Sequence, residues 1–229
     1  MKPIVSCHNL HKTYQQGKIE VHALRGVDLE VANGEFMALA GPSGSGKTTL
    51  LNLIGGLDKF EQGEVLVNDY KLSELSAREA TDLRLQHVGF IFQAYNLIPV
   101  LSAEENVEYV MLLQGVPHKN RRSRARKMLD EVGLEGLYKR RPHEMSGGQQ
   151  QRVAVARALV SEPDIILADE PTANLDSETA RSLLEIMEAM NQRHGVTFIF
   201  STHDRRVMEY ARRVVTLRDG SVHRDEQKD

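Results

Sequence analysis

One octapeptide constrains this chain more than any other feature. Gly41-Pro42-Ser43-Gly44-Ser45-Gly46-Lys47-Thr48 has the spacing G-x-x-x-x-G-K-[ST]. It follows Phe36 to Ala40, an apolar run that reads as a fully buried strand. It leads into Lys47 to Ile54, which reads as a helix stopped at Gly55-Gly56. Strand, glycine-rich turn and helix is the context this pattern needs. The glycines let the backbone wrap closely, so that N–H groups can point at phosphate oxygens. The turn opens a helix N-terminus, where the dipole favours an anion. Lys47 is placed to reach the β- and γ-phosphates of a nucleotide, and the Thr48 hydroxyl to meet Mg²⁺.

The rest of the chain alternates strand-like and helical segments. Ile4 to Leu10, Val27 to Val31, Glu64 to Asn68, Ile165 to Ala168, Val196 to Ser201 and Val214 to Leu217 read as strands. Ala103 to Leu113 reads as a helix, with Ser102 and Glu105 forming a capping box. Arg121 to Val132 reads as another, ended near Gly133. Ser177 to His194 carries Leu183, Ile186, Met187 and Met190 on one face and is closed by Gly195. Strands separated by helices predict an α/β core with parallel strands. The long stretch between, poor in strand signals, predicts an inserted helical subdomain. The end from His223 reads as a polar tail.

Composition narrows the function classes. With 229 residues the chain can bury one sizeable core, with a subdomain at most. Its 29 Lys+Arg and 32 Asp+Glu give a net charge of −3, so no global field draws it onto nucleic acid or anionic lipid. Arg121, Arg122, Arg124, Arg126 and Lys127 read as a solvated helix face rather than a nucleic-acid patch. The single Cys, Cys7, reads as a buried apolar side chain. No apolar run approaches the ~20 residues that span a bilayer, and the N-terminus reads as lacking a signal peptide.

A phosphate cradle of this kind needs acidic groups, and Asp169-Glu170 supplies them at the end of the apolar Ile165 to Ala168 strand. Ligands of open α/β sheets bind at such C-terminal strand ends. Successive strand side chains diverge, so the two carboxylates have separate work. Asp169 suits a Mg²⁺ shell, and Glu170 suits polarising the water that attacks the γ-phosphate.

Taken in order, the motifs resemble the nucleotide-binding domain of ABC transporters over essentially the whole chain. Tyr14 resembles the adenine-stacking aromatic, and the chain has no Trp to compete for that place. Gly41 to Thr48 resembles Walker A, Gln93 the Q-loop, and Met145-Ser146-Gly147-Gly148-Gln149 the family signature. Asp169 and Glu170 resemble the end of Walker B, Ala173-Asn174-Leu175-Asp176 the D-loop, and His203 the switch histidine. Met145, Ala173 and Ser201 stand where Leu, Gly or Ser, and Val are commoner. Gly55-Gly56-Leu57-Asp58, Asn96 to Pro99, Gln149 to Arg152 and Leu217 to Gly220 resemble the MacB/LolD branch.

The resemblance implies a P-loop NTPase (RecA-like) core with an N-terminal antiparallel β subdomain and an inserted α-helical subdomain. The core would take about residues 1–93 and 160–229, and the helical subdomain about 94–159. It implies an ATPase with ATP and Mg²⁺ as ligands. Thr48, Gln93 and Asp169 would hold the metal, and Lys47, Gln93, Glu170 and His203 would act in hydrolysis. Nucleotide contacts would come from Tyr14, Gly41 through Thr49, Ser146 through Gln149 and Asp176.

Ser146-x-x-Gln149 is also a capping box, and two glycines at a helix start allow close approach to an anion. Asp176 equally suits capping the helix that begins at Ser177. In the resemblance, each ATP lies between one protomer's Walker A and the signature of a second copy. An FtsX/MacB/LolC-type permease would hold the pair at the cytoplasmic face of the inner membrane, in export or lipoprotein extraction. The alternative is an FtsE-like regulatory ATPase that signals through a permease-like partner. Nucleic acid is not an expected partner.

Overall fold

The computed structural model describes residues 2–228. A long hairpin opens it, β1 (Val5–Gln16) and β2 (Ile19–Val31), followed by β3 (Phe36–Ala40) and α1 (Lys47–Ile54). Next come β4 (Gln62–Val67), β5 (Tyr70–Lys71), α2 (Ala77–His87) and β6 (Val88–Ile91). Three helices follow, α3 (Ala103–Leu113), α4 (His118–Glu131) and α5 (Gly147–Leu159). The chain closes through β7 (Ile165–Ala168), α6 (Ser177–His194), β8 (Thr197–Thr202), α7 (Arg205–Met208), β9 (Arg213–Arg218) and β10 (Ser221–Gln227).

The strands form two sheets. One is antiparallel, in the order β2-β1-β4-β5. The other has the order β10-β9-β3-β8-β7-β6 and is parallel except for β10. The central strands β3, β7 and β8 are buried on both faces, as crossover helices require. Their period of two divides the interior in half. Phe36, Ala38, Ile166, Phe198 and Phe200 face a core shared with α3, α4, α5 and α6. Met37, Leu39, Ile165, Leu167 and Ile199 face α1 and the antiparallel sheet. Phe36 packs its ring 5.5 Å from Phe198 and 5.0 Å from Phe200, both tilted, a geometry that adds about 1 kcal/mol per pair beyond burial.

Local signals place the helices. Ser102 and Ser146 each form a capping box with the residue three positions on, Glu105 and Gln149. Asp176 caps α6 through the amides of Glu178 and Thr179, and Gly195 ends it at φ +67°. Buried Asn106 fixes the loop before α3. Its Oδ1 accepts from the Ile98 amide, and its Nδ2 donates to the carbonyls of Ile98, Leu101 and Ser102.

The sequence reading needs correction at the hairpin and at the C-terminal end, and addition on α4. The hairpin arms are longer than expected, because bulges at Cys7 to Thr13 break the period-two pattern that betrays a strand. The basic stretch on α4 is charge-paired: Arg122 and Arg126 both donate to buried Glu104, and Arg124 reaches Glu162. The polar end from His223 is no tail but part of β10, antiparallel to β9.

The Arg213 guanidinium holds β10 in place, donating to both oxygens of Asp225 at 2.7 Å. That bond, against the opposing effect of burial, holds the Asp225 carboxyl below its ordinary range. A depressed folded-state pKa gives stability that is present above the unfolded value of about 3.9 and lost as pH falls through the folded one. Asp225→Asn is therefore expected to lower the melting temperature at pH 6, with the deficit shrinking below about pH 4. A deficit independent of pH would contradict the pairing.

Candidate active site

The C-terminal ends of β3, β8, β7 and β6 lie side by side. From them issue the glycine-rich turn, His203, Asp169-Glu170 and Phe92-Gln93. The sheet order thus gathers segments far apart in sequence onto one rim. They line a cavity of about 680 Å³ with Tyr14, Pro42, Ser43, Gly44, Gly46, Lys47, Thr48, Thr49, Gln93, Asp169, Glu170 and His203 in its wall. Val21, His22, Ala23 and Ala173 complete it; Ala173 opens the D-loop motif, whereas motif reasoning missed the other three, which come from the hairpin arm. Gly41 and Ser45 do not line the wall.

The turn can take only this shape with glycine at its ends. Gly41 has φ +145°, and a Cβ there would stand 2.3 Å from the Leu217 carbonyl oxygen. Gly46, at φ +103°, would put one 2.6 Å from the Ala23 oxygen. α1 has no side-chain cap and no acidic residue in its first turn. Its leading amides are thus left pointing into the cavity, the arrangement that suits a phosphate. Lys47 is buried, and its Nζ donates to the Gly41 and Pro42 carbonyls at 2.8 and 3.0 Å.

The acidic groups are held separately. Thr48 Oγ1 donates to Asp169, 3.0 Å from each carboxylate oxygen. The Asp169 amide bonds the Ile91 carbonyl, which fixes the end of β7 against β6. Glu170 has φ +46°, an uncommon conformation for a residue with a side chain. Its Oε1 lies 2.9 Å from His203 Nδ1 and 4.0 Å from Lys47 Nζ. Gln93 is exposed at the cavity, and its carbonyl accepts from Asn174 Nδ2 at 2.9 Å.

Tyr14 is oriented by a small network. Its hydroxyl donates to Asp58 at 2.7 Å, and Lys12 stands 4.8 Å over its ring. Burial and the bond to Asp58 push the phenol's pKa up. Burial works against an ionised Asp58, but bonds from Tyr14, the Lys59 amide and Lys12 outweigh it and hold that carboxyl low. The ring is thus held in place at the cavity wall.

Ser146, Gly147, Gly148, Gln149 and Asp176 are not part of this cavity. The Ser146 hydroxyl and the Gln149 side chain are engaged in capping α5. The two glycines are also closely packed: a Cβ on Gly148 would meet Thr179 Cγ2 at 2.3 Å, and one on Gly147 would have to displace the Tyr95 hydroxyl, 2.7 Å away. Asp176 is bound to the amides of α6 and to the Thr179 hydroxyl, which holds its carboxyl low.

Residues 24–173 match the ABC transporter family. An uncharacterized ABC transporter ATP-binding protein of Thermotoga maritima is 44% identical over 222 residues, 97% of this chain and 94% of that protein. The ATP-binding cassette MJ0796 of Methanocaldococcus jannaschii is 42% identical over 98% of this chain and 97% of its own. Its dimeric structure in a post-hydrolysis state, bound to ADP and Pi, matches this fold with a TM-score of 0.91, covering 98% of this chain and 99% of that one. The macrolide export ATP-binding/permease protein MacB of Pasteurella multocida is 42% identical over 96% of this chain, which corresponds to 34% of MacB. The chain belongs to the ABC transporter family, as an ATP-binding cassette with ATPase activity.

Proposed function

We propose that two copies of this chain close head-to-tail around two ATP molecules and drive an FtsX/MacB-type permease in export or lipoprotein extraction. The carrying observation is that one cavity joins the glycine-rich turn, Asp169, Glu170 and His203, while the signature at Ser146 to Gln149 stands outside it. A helix start with two glycines lets an anion approach closely, and its positive dipole end suits a phosphate on another copy. That MJ0796 is dimeric with ADP and Pi bound supports the pairing of two copies.

Within the cavity, Lys47 and the α1 amides bind and orient the phosphates. Tyr14 stacks on the base. Glu170 takes the proton of the attacking water, and His203 holds the carboxylate in line by donating from Nδ1. Thr48, Asp169 and Gln93 are hard oxygen donors on one wall, a set that suits Mg²⁺ with phosphate oxygens and water completing its shell. When bound, the metal neutralises charge developing on the phosphates.

The permease reading is supported by a second hollow of about 380 Å³ between α2, β6, α3 and α5, lined by Leu57, Leu85, Phe90, Phe92, Val110 and Leu113. Leu57 and Leu113 are 47% and 57% exposed. Phe92 joins this hollow to Gln93. No helix among the described residues is long and apolar enough to cross a membrane; in this reading the permease supplies the transmembrane path. The test is affinity capture of the tagged chain from solubilised membranes. An FtsX- or MacB-like integral protein is the expected partner. Capture of a permease of another type would replace that assignment.

A further inference from the structure

Ser201 lies near the end of β8, beside the acidic pair that follows neighbouring β7. Its side chain is completely buried. The hydroxyl donates to Asp169 Oδ1 at 2.6 Å and accepts from the Glu170 amide at 2.9 Å. One side chain thus uses its single proton on the first acid and a lone pair on the backbone of the second. The Glu170 backbone is left-handed at φ +46°, and such a conformation persists only where its surroundings hold it. Asp169 receives its other hydroxyl contact from Thr48. Two neutral hydroxyls, one from α1 and one from β8, therefore fix the direction of one carboxylate.

We propose that Ser201 is a positioning residue for hydrolysis. It aims the Asp169 carboxylate at the metal side of the cavity and holds the Glu170 peptide in the turn that presents its carboxylate beside His203. The inference rests on the roles given above to Asp169 and Glu170. An apolar side chain at this position would leave the Glu170 amide without this partner and the Asp169 carboxylate held by Thr48 alone.

Ser201→Ala and Ser201→Thr in the full chain test it. ADP affinity is measured by calorimetry with Mg²⁺ and with a chelator, ATP turnover is measured beside it, and a melting curve checks folding. Ser201→Ala is expected to lose on the order of tenfold of the affinity gained from Mg²⁺, with metal-free ADP affinity unchanged. Its kcat is expected to fall about tenfold, and Ser201→Thr, which keeps the hydroxyl, retains both properties. A wild-type Mg²⁺ gain and wild-type kcat in Ser201→Ala would overturn the proposal. So would equal impairment of both variants with and without metal, which assigns Ser201 to packing. Glu170→Gln run in parallel separates the two levels. Full turnover in Glu170→Gln would remove the reading of the carboxylates themselves, whereas loss of turnover there beside an unaffected Ser201→Ala removes only the role of Ser201.

Discussion

Glu170→Gln is expected to cut ATP turnover by about 10²–10⁴-fold while leaving nucleotide binding intact. The exchange preserves shape and the hydrogen bond with His203 but removes the group that can take a proton from water. Nothing in the phosphate cradle changes, because Lys47 is held by the Gly41 and Pro42 carbonyls rather than by Glu170. ATP should therefore bind and not be consumed. If closure of two copies precedes hydrolysis, this variant will accumulate as a dimer in ATP and Mg²⁺, visible by size-exclusion chromatography. Wild-type turnover would remove Glu170 from the role of base. A variant that binds ATP yet stays monomeric would count against closure around the nucleotide.

Lys47→Ala is expected to lower turnover by about 10³-fold, since a donor aimed at developing charge contributes on this scale. Two losses combine. The positive charge nearest the γ-phosphate disappears, and the Gly41 and Pro42 carbonyls lose the partner that shapes the turn. Lys47→Arg should not restore activity, because a planar guanidinium cannot occupy the place of a compact ammonium between those carbonyls. Nucleotide affinity measured by calorimetry should fall in both variants. Hydrolysis at the wild-type rate by Lys47→Ala would mean that the catalytic cavity lies elsewhere.

What the sequence disclosed was local. Phe36–Ala40, Lys47–Ile54, Ala103–Leu113, Ile165–Ala168 and Ser177–His194 fall where periodicity and caps put them, because each signal lies within a few residues of what it controls. The hairpin arms were hidden by bulges, and β10 by polarity. An edge strand needs little burial, and this one is anchored by Arg213, at the start of the strand it pairs with. The motif residues were legible as residue types, but not their mutual support. Ser201 drew notice only for standing where Val is commoner. Its bridge depends on β8 lying beside β7, a long-range fact that no window along the chain contains. Asn174 on the Gln93 carbonyl and Asp58 on Tyr14 are hidden for the same reason.

The period-two division of the parallel sheet carries a consequence for how this protein can be taken apart. Val107, Met111, Leu129 and Val153 of the inserted helices lie in one continuous apolar body with Phe36, Ile166, Phe198 and Phe200. The helices between β6 and β7 are therefore a lid over the sheet, not a detachable accessory. Excising them would expose the aromatic face of β3 and β8 to water and invite aggregation. The segment that carries the signature is also the roof of its own copy's core, so shortening or exchanging it means rebuilding the sheet face beneath it.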